Sequence, residues 1–272
     1  MRFISMMKVW MISLLFVAGA AQAQSGQTEV LWLGQAAFRI TSPGGKVIVV
    51  DPWLRTNPKT PAAFKELTAL GKVDAILVTH GHFDHIADAP DLARMHNLPM
   101  WAPGGLNQSL TTLGVMPGDK LPRFNKGGTI QPAAGIKVTA THAEHSSEYV
   151  HRDEATGKSA THVGGEPVGY IIEMENGFRI YHMGDTDVFG DMKLIAERYR
   201  PDLVLIPIGG NFTMDPQGAA FAIRDMLKPK FVIPMHYGAN PLGKGTPEEF
   251  IGALGTTSTR VLNLSPGEAV KF

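Results

Sequence analysis

The stretch Thr79-His80-Gly81-His82-Phe83-Asp84-His85 directly follows the apolar run Ala75-Ile76-Leu77-Val78. It sets three imidazoles and a carboxylate at the end of a strand-like segment. Packing gives no reason for such a cluster, because each buried ring would need a hydrogen-bond partner of its own. A metal ion satisfies several rings together. His80 and His82 stand two residues apart, so on an extended backbone both side chains point the same way and can chelate one ion. Asp84 and His85 fall where the chain turns into a helix, where neighbouring side chains diverge and can reach a second ion.

Three further strand-like segments end on a candidate ligand. Residues 136–141 alternate as a strand and run into His142; residues 178–181 lead through His182-Met183-Gly184 to Asp185; residues 231–235 run into His236. Loops at strand ends are where a rigid scaffold carries binding groups. One histidine after one strand is ordinarily structural, and His182 is read that way. Four strand ends delivering ligands point to a shared site.

With these residues in place, the chain resembles the metallo-β-lactamase superfamily. The resemblance rests on the HxHxDH run at His80, His82, Asp84 and His85, on His142, Asp185 and His236, and on the preceding Asp51-Pro52 pair. Trp32-Leu33-Gly34, Thr141-His142-Ala143-Glu144-His145-Ser146-Ser147, Tyr181-His182-Met183-Gly184-Asp185-Thr186 and Pro234-Met235-His236-Tyr237 look like the UPF0173 metal-dependent hydrolase branch. That branch is similar to the ascorbate-6-phosphate lactonases and, more distantly, to the phospholipase D acting on N-acyl phosphatidylethanolamines. Gln35 departs from the pattern, since these relatives usually carry His there.

The resemblance implies an α/β fold, a four-layer αββα sandwich, and two divalent metal ions. His80, His82 and His142 would hold one, Asp84, His85 and His236 the other, and Asp185 would bridge. Zinc is the family default; a nitrogen and oxygen ligand set also suits manganese or iron. Two such ions share a water and make hydroxide available at neutral pH. The expected function is hydrolysis of a small ester, lactone or phosphoester, with Asp84 orienting the nucleophile or returning a proton. His145 is expected to face the substrate, and Tyr237, Asn211 and Thr213 to donate to a developing oxyanion. Asp51 is read as orienting a ligand histidine. A β-lactam hydrolase, an iron redox enzyme and a non-catalytic metal-binding protein stand as alternatives.

Composition narrows the field. The 272 residues carry 25 basic and 25 acidic side chains, so no net field draws nucleic acid or an anionic membrane. The absence of cysteine removes disulfides, thiolate ligands and cysteine nucleophiles. Residues 1–23 read as a signal peptide with a basic start (Arg2, Lys8), an apolar centre too short to span a bilayer, and a small-x-small cut after Ala23. The mature part, residues 24–272, is read as one periplasmic or secreted domain with no stable membrane insertion. Its partner is a small-molecule substrate, and a homo-oligomer stays open.

Strand alternation and turn residues predict a β-meander over 29–33, 36–41 and 46–50. Helices are predicted over 61–70, 88–95, 191–199, 215–228 after the Asp215 N-cap, and from the Thr246 capping box. Asn176-Gly177 predicts a tight hairpin with positive φ. The polar stretch 146–166 is read as a solvated insertion, a lid or a subunit contact.

Overall fold

The computed structural model describes residues 26–272, so the expected signal segment, residues 1–23, lies outside the described residues. Three antiparallel strands form first: β1 (Glu29–Gly34), β2 (Ala37–Thr41) and β3 (Val47–Val50), the predicted meander. Parallel addition follows with β4 (Ala75–Leu77), β5 (Met100–Pro103) and β6 (Arg123–Phe124). A parallel neighbour needs a crossover. Helices α1 (Phe83–Ile86) and α2 (Ala89–His96) cross from β4 to β5, and α3 (Gly104–Thr112) crosses from β5 to β6.

The second sheet begins with β7 (Thr129–Ala133) and β8 (Ile136–His142). A separate two-stranded hairpin, β9 (Glu148–Arg152) with β10 (Ser159–Val163), interrupts it. The sheet resumes with β11 (Val168–Glu173) and β12 (Arg179–His182). Helix α4 (Met192–Tyr199) then leads to β13 (Leu203–Pro207), α5 (Pro216–Phe221) to β14 (Phe231–Met235), and α6 (Pro247–Leu254) to β15 (Arg260–Val261). Finally β16 (Ala269–Lys271) returns to pair with β1. The seven-stranded sheets run β16-β1-β2-β3-β4-β5-β6 and β15-β14-β13-β12-β11-β8-β7.

Strand parity shows the four layers directly. In β3, Ile48 and Val50 join the core between the sheets, whereas Val47 and Val49 join the cluster under α2 and α3. In β13, Leu203 and Leu205 face the same central core, while Val204 and Ile206 pack with buried residues of α4, α5 and α6. Both strands are therefore apolar throughout, as sheets covered on both faces require. Each such side chain contributes about 1.5–3 kcal/mol on burial. The αββα sandwich is as expected. Among the described residues no helix is long and apolar enough to cross a membrane.

Several local expectations are corrected. Residues 61–70 form two short 3₁₀ turns, Ala62–Phe64 and Leu67–Leu70, rather than one helix. Only Gly177 adopts positive φ in the hairpin turn; Asn176 instead accepts from the Phe178 backbone N–H at 3.1 Å. The helix from Asp215 keeps its side-chain cap on Gly218, but Ala222–Leu227 widen into a π-helical stretch that closes on Lys228. The capping box forms as predicted, Thr246 and Glu249 exchanging hydrogen bonds. Helix α3 escaped the sequence because it opens on Gly104-Gly105, poor helix formers. The reason for Gly105 is contact: a Cβ there would lie 2.6 Å from Gly165 Cα. The 146–166 stretch is a solvated insertion as expected, and within it residues 148–152 and 159–163 pair as the β9–β10 hairpin.

Candidate metal centre

The ends of β1, β3, β4, β8, β12 and β14 gather at one edge of the sandwich. There Gln35, Asp51, Asn211 and His236 all have positive φ, at 52, 47, 60 and 58°, and none of them caps a helix. Left-handed backbone at non-glycine residues is a cost that surrounding structure must hold, and it concentrates at functional sites.

The run after β4 delivers its side chains in two directions. His82 is the N-cap of the single-turn α1, which places Asp84 and His85 in the first turn. Gly81 between the histidines allows a close approach, since a Cβ there would stand a tight 3.0 Å from the Glu148 carbonyl oxygen. The Gly81 N–H donates to Ser147 Oγ at 3.1 Å, which ties the run to the base of the β9–β10 hairpin.

Three groups of convergent ligand atoms result: His80, His82 and His145; His80, His85 and Asp185; and Asp84, His85 and His236. Asp185 stands between the outer two. Its Oδ2 lies 3.0 Å from His236 Nε2, 3.6 Å from His145 Nε2 and 3.9 Å from His80 Nε2, and its Oδ1 lies 3.3 Å from His85 Nε2. Asp84 Oδ2 is 3.4 Å from His236 Nε2.

One expected ligand lies apart from the cluster. His142, the last residue of β8, has its ring between Lys126 Nζ at 3.2 Å and Glu144 Oε2 at 3.3 Å, edge-on to Phe189. His145 stands beside His80 and His82 instead. The Glu144 N–H donates to Thr186 Oγ1 at 2.9 Å and the Asp187 N–H to the Glu144 carbonyl at 3.0 Å, so the loop after β8 is pinned to the Asp185 loop. That pinning carries His145 beside Asp185. The ring expected to face substrate is thus grouped with His80 and His82.

The surrounding shell fixes the rings. Asp51 is fully buried; its carboxylate accepts from the Thr79 N–H at 2.7 Å, Thr79 Oγ1 at 2.6 Å and His85 Nδ1 at 2.7 Å. Asp51 thereby occupies His85 Nδ1 and leaves Nε2 facing the cluster, where a bound cation would displace its proton: burial opposes charge on this ring, but Asp185, Asp51 and Asp84 raise its pKa well above the ordinary imidazole value. Glu148, at the start of β9, holds His82 Nε2 at 2.9 Å and is itself held by Ser146 Oγ. Gln35 enters as well, its side-chain N–H₂ donating to Asp84 Oδ2 at 2.9 Å and standing 2.9 Å from His236 Nε2. Its carbonyl accepts from Trp32 Nε1 and the His236 N–H. His182 is structural, donating from Nε2 to the Ala36 carbonyl and accepting the Gly184 N–H at Nδ1.

Tyr237, expected beside the reacting oxygen, packs on Trp32 with ring centroids 5.3 Å apart and does not line the cavity over the cluster. Burial, with Glu248, raises its hydroxyl to about 12. Asn211 and Thr213 also lie outside that cavity, whose polar rim is Ser146 and Asn240. The sequence did not single out Asn240, Glu148, Phe83 or Phe212, because only tertiary contact gives them a place here.

The donor set fits divalent cations. His85 Nε2 and Asp185 Oδ1 are buried without a hydrogen-bond partner, an expense that a coordinated ion removes. Burial and the adjoining His85 push His80 well below the ordinary imidazole value, and burial lowers His145, so both present lone pairs. Burial opposes charge at Asp84, yet His85 and His236 hold it down, at about 2. At His236 burial again opposes charge, but Asp185 and Asp84 outweigh it and raise its pKa to about 9.

A bound cation has to displace that proton. Zinc affinity is therefore expected to keep rising from pH 6.5, the ordinary imidazole value, to about 9, by roughly tenfold per pH unit for each proton displaced. Competition against a chromophoric chelator across that range, corrected for the chelator's own protonation, checks this; a plateau from neutral pH upward would contradict it.

Comparison with known proteins agrees with this architecture. A family model described as a beta-lactamase superfamily domain matches residues 46–237. The chain belongs to the metallo-β-lactamase superfamily. Within the superfamily it falls in the UPF0173 branch: a UPF0173 metal-dependent hydrolase of Polaromonas sp. strain JS666 is 66% identical over 252 residues, covering 93% of this chain and 92% of the relative. A second, from Roseiflexus castenholzii, is 45% identical over 246 residues, covering 89% and 97%. Among solved structures, the superfamily fold is matched by Igni18, described as a novel metallo hydrolase from the hyperthermophilic archaeon Ignicoccus hospitalis KIN4/I. The TM-score is 0.76 at 32% identity, over 90% of this chain and 98% of that one.

Proposed function

We propose that the chain is a binuclear metal-dependent hydrolase acting on a small ester, lactone or phosphoester. The observation that carries this reading is the Asp185 carboxylate, standing between two clusters of ring nitrogens, with histidines alone as its ion-pair partners among the described residues. The reading also rests on membership of a branch whose relatives are named metal-dependent hydrolases. His80, His82 and His145 would hold one cation, Asp84, His85 and His236 the other, with Asp185 shared. Zinc is the first choice, and manganese or iron would suit the same atoms.

When bound, such a pair activates a shared water and polarises the oxygen of the scissile group. The chain's own residues do the rest. Asp51, Glu148 and Thr79 orient the rings of His85, His82 and His80. Gln35 holds the Asp84 carboxylate at the cavity wall, where Asp84, ionised at rest, can take the proton given up by the attacking water and pass it to the leaving group. The N-terminal segment with its Ala21-Gln22-Ala23 end adds a periplasmic or secreted place of action to the proposal.

The test is hydrolysis of a lactone, a phosphodiester and a β-lactam before chelation, after it, and after zinc or manganese is restored. Chelation is expected to remove at least about 99% of turnover of a lactone or phosphodiester, and metal to restore it. Turnover indifferent to the chelator would overturn the proposal.

A further inference from the structure

The cavity over the cluster holds about 360 Å³, enough for a small molecule, and its walls differ in kind. One wall is the ligand cluster. The facing walls carry two phenylalanines that stay exposed: Phe83, 64% accessible, and Phe212, 45% accessible. Lone exposed apolar residues are common on protein surfaces; two lining one cavity beside a cluster of candidate ligand side chains are a placed pair.

The Phe83 ring is braced by a neighbouring side chain, and Phe212 is carried on a hydrogen-bonded backbone turn. Phe83 lies in sequence between His82 and Asp84 on α1, and the buried Trp53 braces it edge-to-face, with centroids 5.4 Å apart at 84°. Phe212 follows the left-handed Asn211, and its N–H donates to the Gly210 carbonyl at 2.7 Å. The next turn is pinned to the Asp185 loop by the Met214 N–H donating to the Thr186 carbonyl. Rigid aromatic walls lose little freedom when they take up a ligand.

Charge is arranged to the same end. Among the described residues no lysine or arginine lines the cavity. A reacting phosphoryl group could sit on the cations, but a second, non-reacting phosphate would meet no cationic side chain, only neutral donors, and so would forgo the charge-assisted hydrogen bonds from arginine or lysine that hold such a group. The rim offers Ser146, and Asn240, whose Oδ1 is already occupied by the Leu242 N–H at 2.9 Å, so its N–H₂ remains to donate.

We infer that the substrate is an ester or lactone whose non-reacting part is uncharged and aromatic or branched-aliphatic, clasped between Phe83 and Phe212. This rests on the hydrolase reading above, and the experiment separates the two. Binding of acetohydroxamate and phenylacetohydroxamate to the zinc-loaded protein is measured for the parent, Phe83→Ala and Phe212→Ala. Each protein serves as its own reference, because both probes use the same metal-binding head. The phenyl probe is expected to bind about tenfold or more tighter in the parent, with that ratio falling to roughly threefold or less in each variant. A ratio near one in the parent, or one unchanged in both variants, overturns the inference whether or not any substrate is turned over. In parallel, a phenyl-substituted lactone is expected to outpace the same lactone carrying a phosphate. The reverse order would also overturn the inference, whereas no turnover of either would count against the hydrolase reading alone.

Discussion

A His145→Ala protein is expected to carry about half the metal of its parent, and His142→Ala the full amount. His145 Nε2 stands 3.3 Å from His82 Nδ1 and 3.6 Å from Asp185 Oδ2, inside one ligand group, so its loss leaves that cation only His80, His82 and a share of Asp185. Losing one cation forfeits several kcal/mol of transition-state stabilisation, and each 1.4 kcal/mol is tenfold in rate. A fall in kcat/KM of about 10³-fold or more is expected. His142 is half-exposed beside Lys126 and Glu144, and its removal should change stability by about 0.5 kcal/mol or less and kcat/KM by about threefold or less. Metal analysis of both purified variants, with kinetics, decides. If His142→Ala is the variant that loses metal, the loop after β8 rearranges on loading and the assignment of His145 is wrong.

The two histidines also mark how far the sequence could be read. The metal run and the strand ends at Asp185 and His236 were legible because strand geometry fixes them locally, whereas β3 and β13, apolar throughout, carry no alternation from which their two faces could be read. The choice between His142 and His145 was not local. Both lie in one short stretch, and what separates them is the pair of hydrogen bonds joining Glu144 to Thr186 and Asp187, some 40 residues on. Gln35 was visible as a departure, yet its contact with Asp84 spans 49 residues and depends on a left-handed backbone that the sequence alone does not announce for glutamine. The 146–166 stretch is the solvated insertion its polar composition indicated, but its hairpin form was not legible, since polar residues of an exposed hairpin resemble those of a loop. Its order comes from strand pairing and from Ser147, whose hydroxyl bridges the Gly81 N–H and the Gly164 carbonyl.

The second large effect is expected at a residue outside the three ligand groups. Asp51→Ala leaves three buried donors, the Thr79 N–H, the Thr79 hydroxyl and His85 Nδ1–H, without their acceptor. Breaking a buried arrangement of this kind costs about 3–5 kcal/mol, and alanine at a φ of 47° adds strain of about 1–2 kcal/mol. The melting temperature of the metal-free protein should fall on the order of 10 °C. Asp51→Asn separates the two contributions, because asparagine tolerates left-handed backbone but brings an N–H₂ donor against donors already there. It should therefore recover part of the stability while zinc affinity stays about 10–100-fold weaker, as for other carboxylates behind a metal-ligating histidine. Thermal unfolding with and without chelator, together with zinc competition, reads the two effects apart. Parental zinc affinity in Asp51→Asn would show that the ring of His85 is oriented by packing alone, and that the carboxylate serves only to complete the hydrogen bonds of the turn after β4.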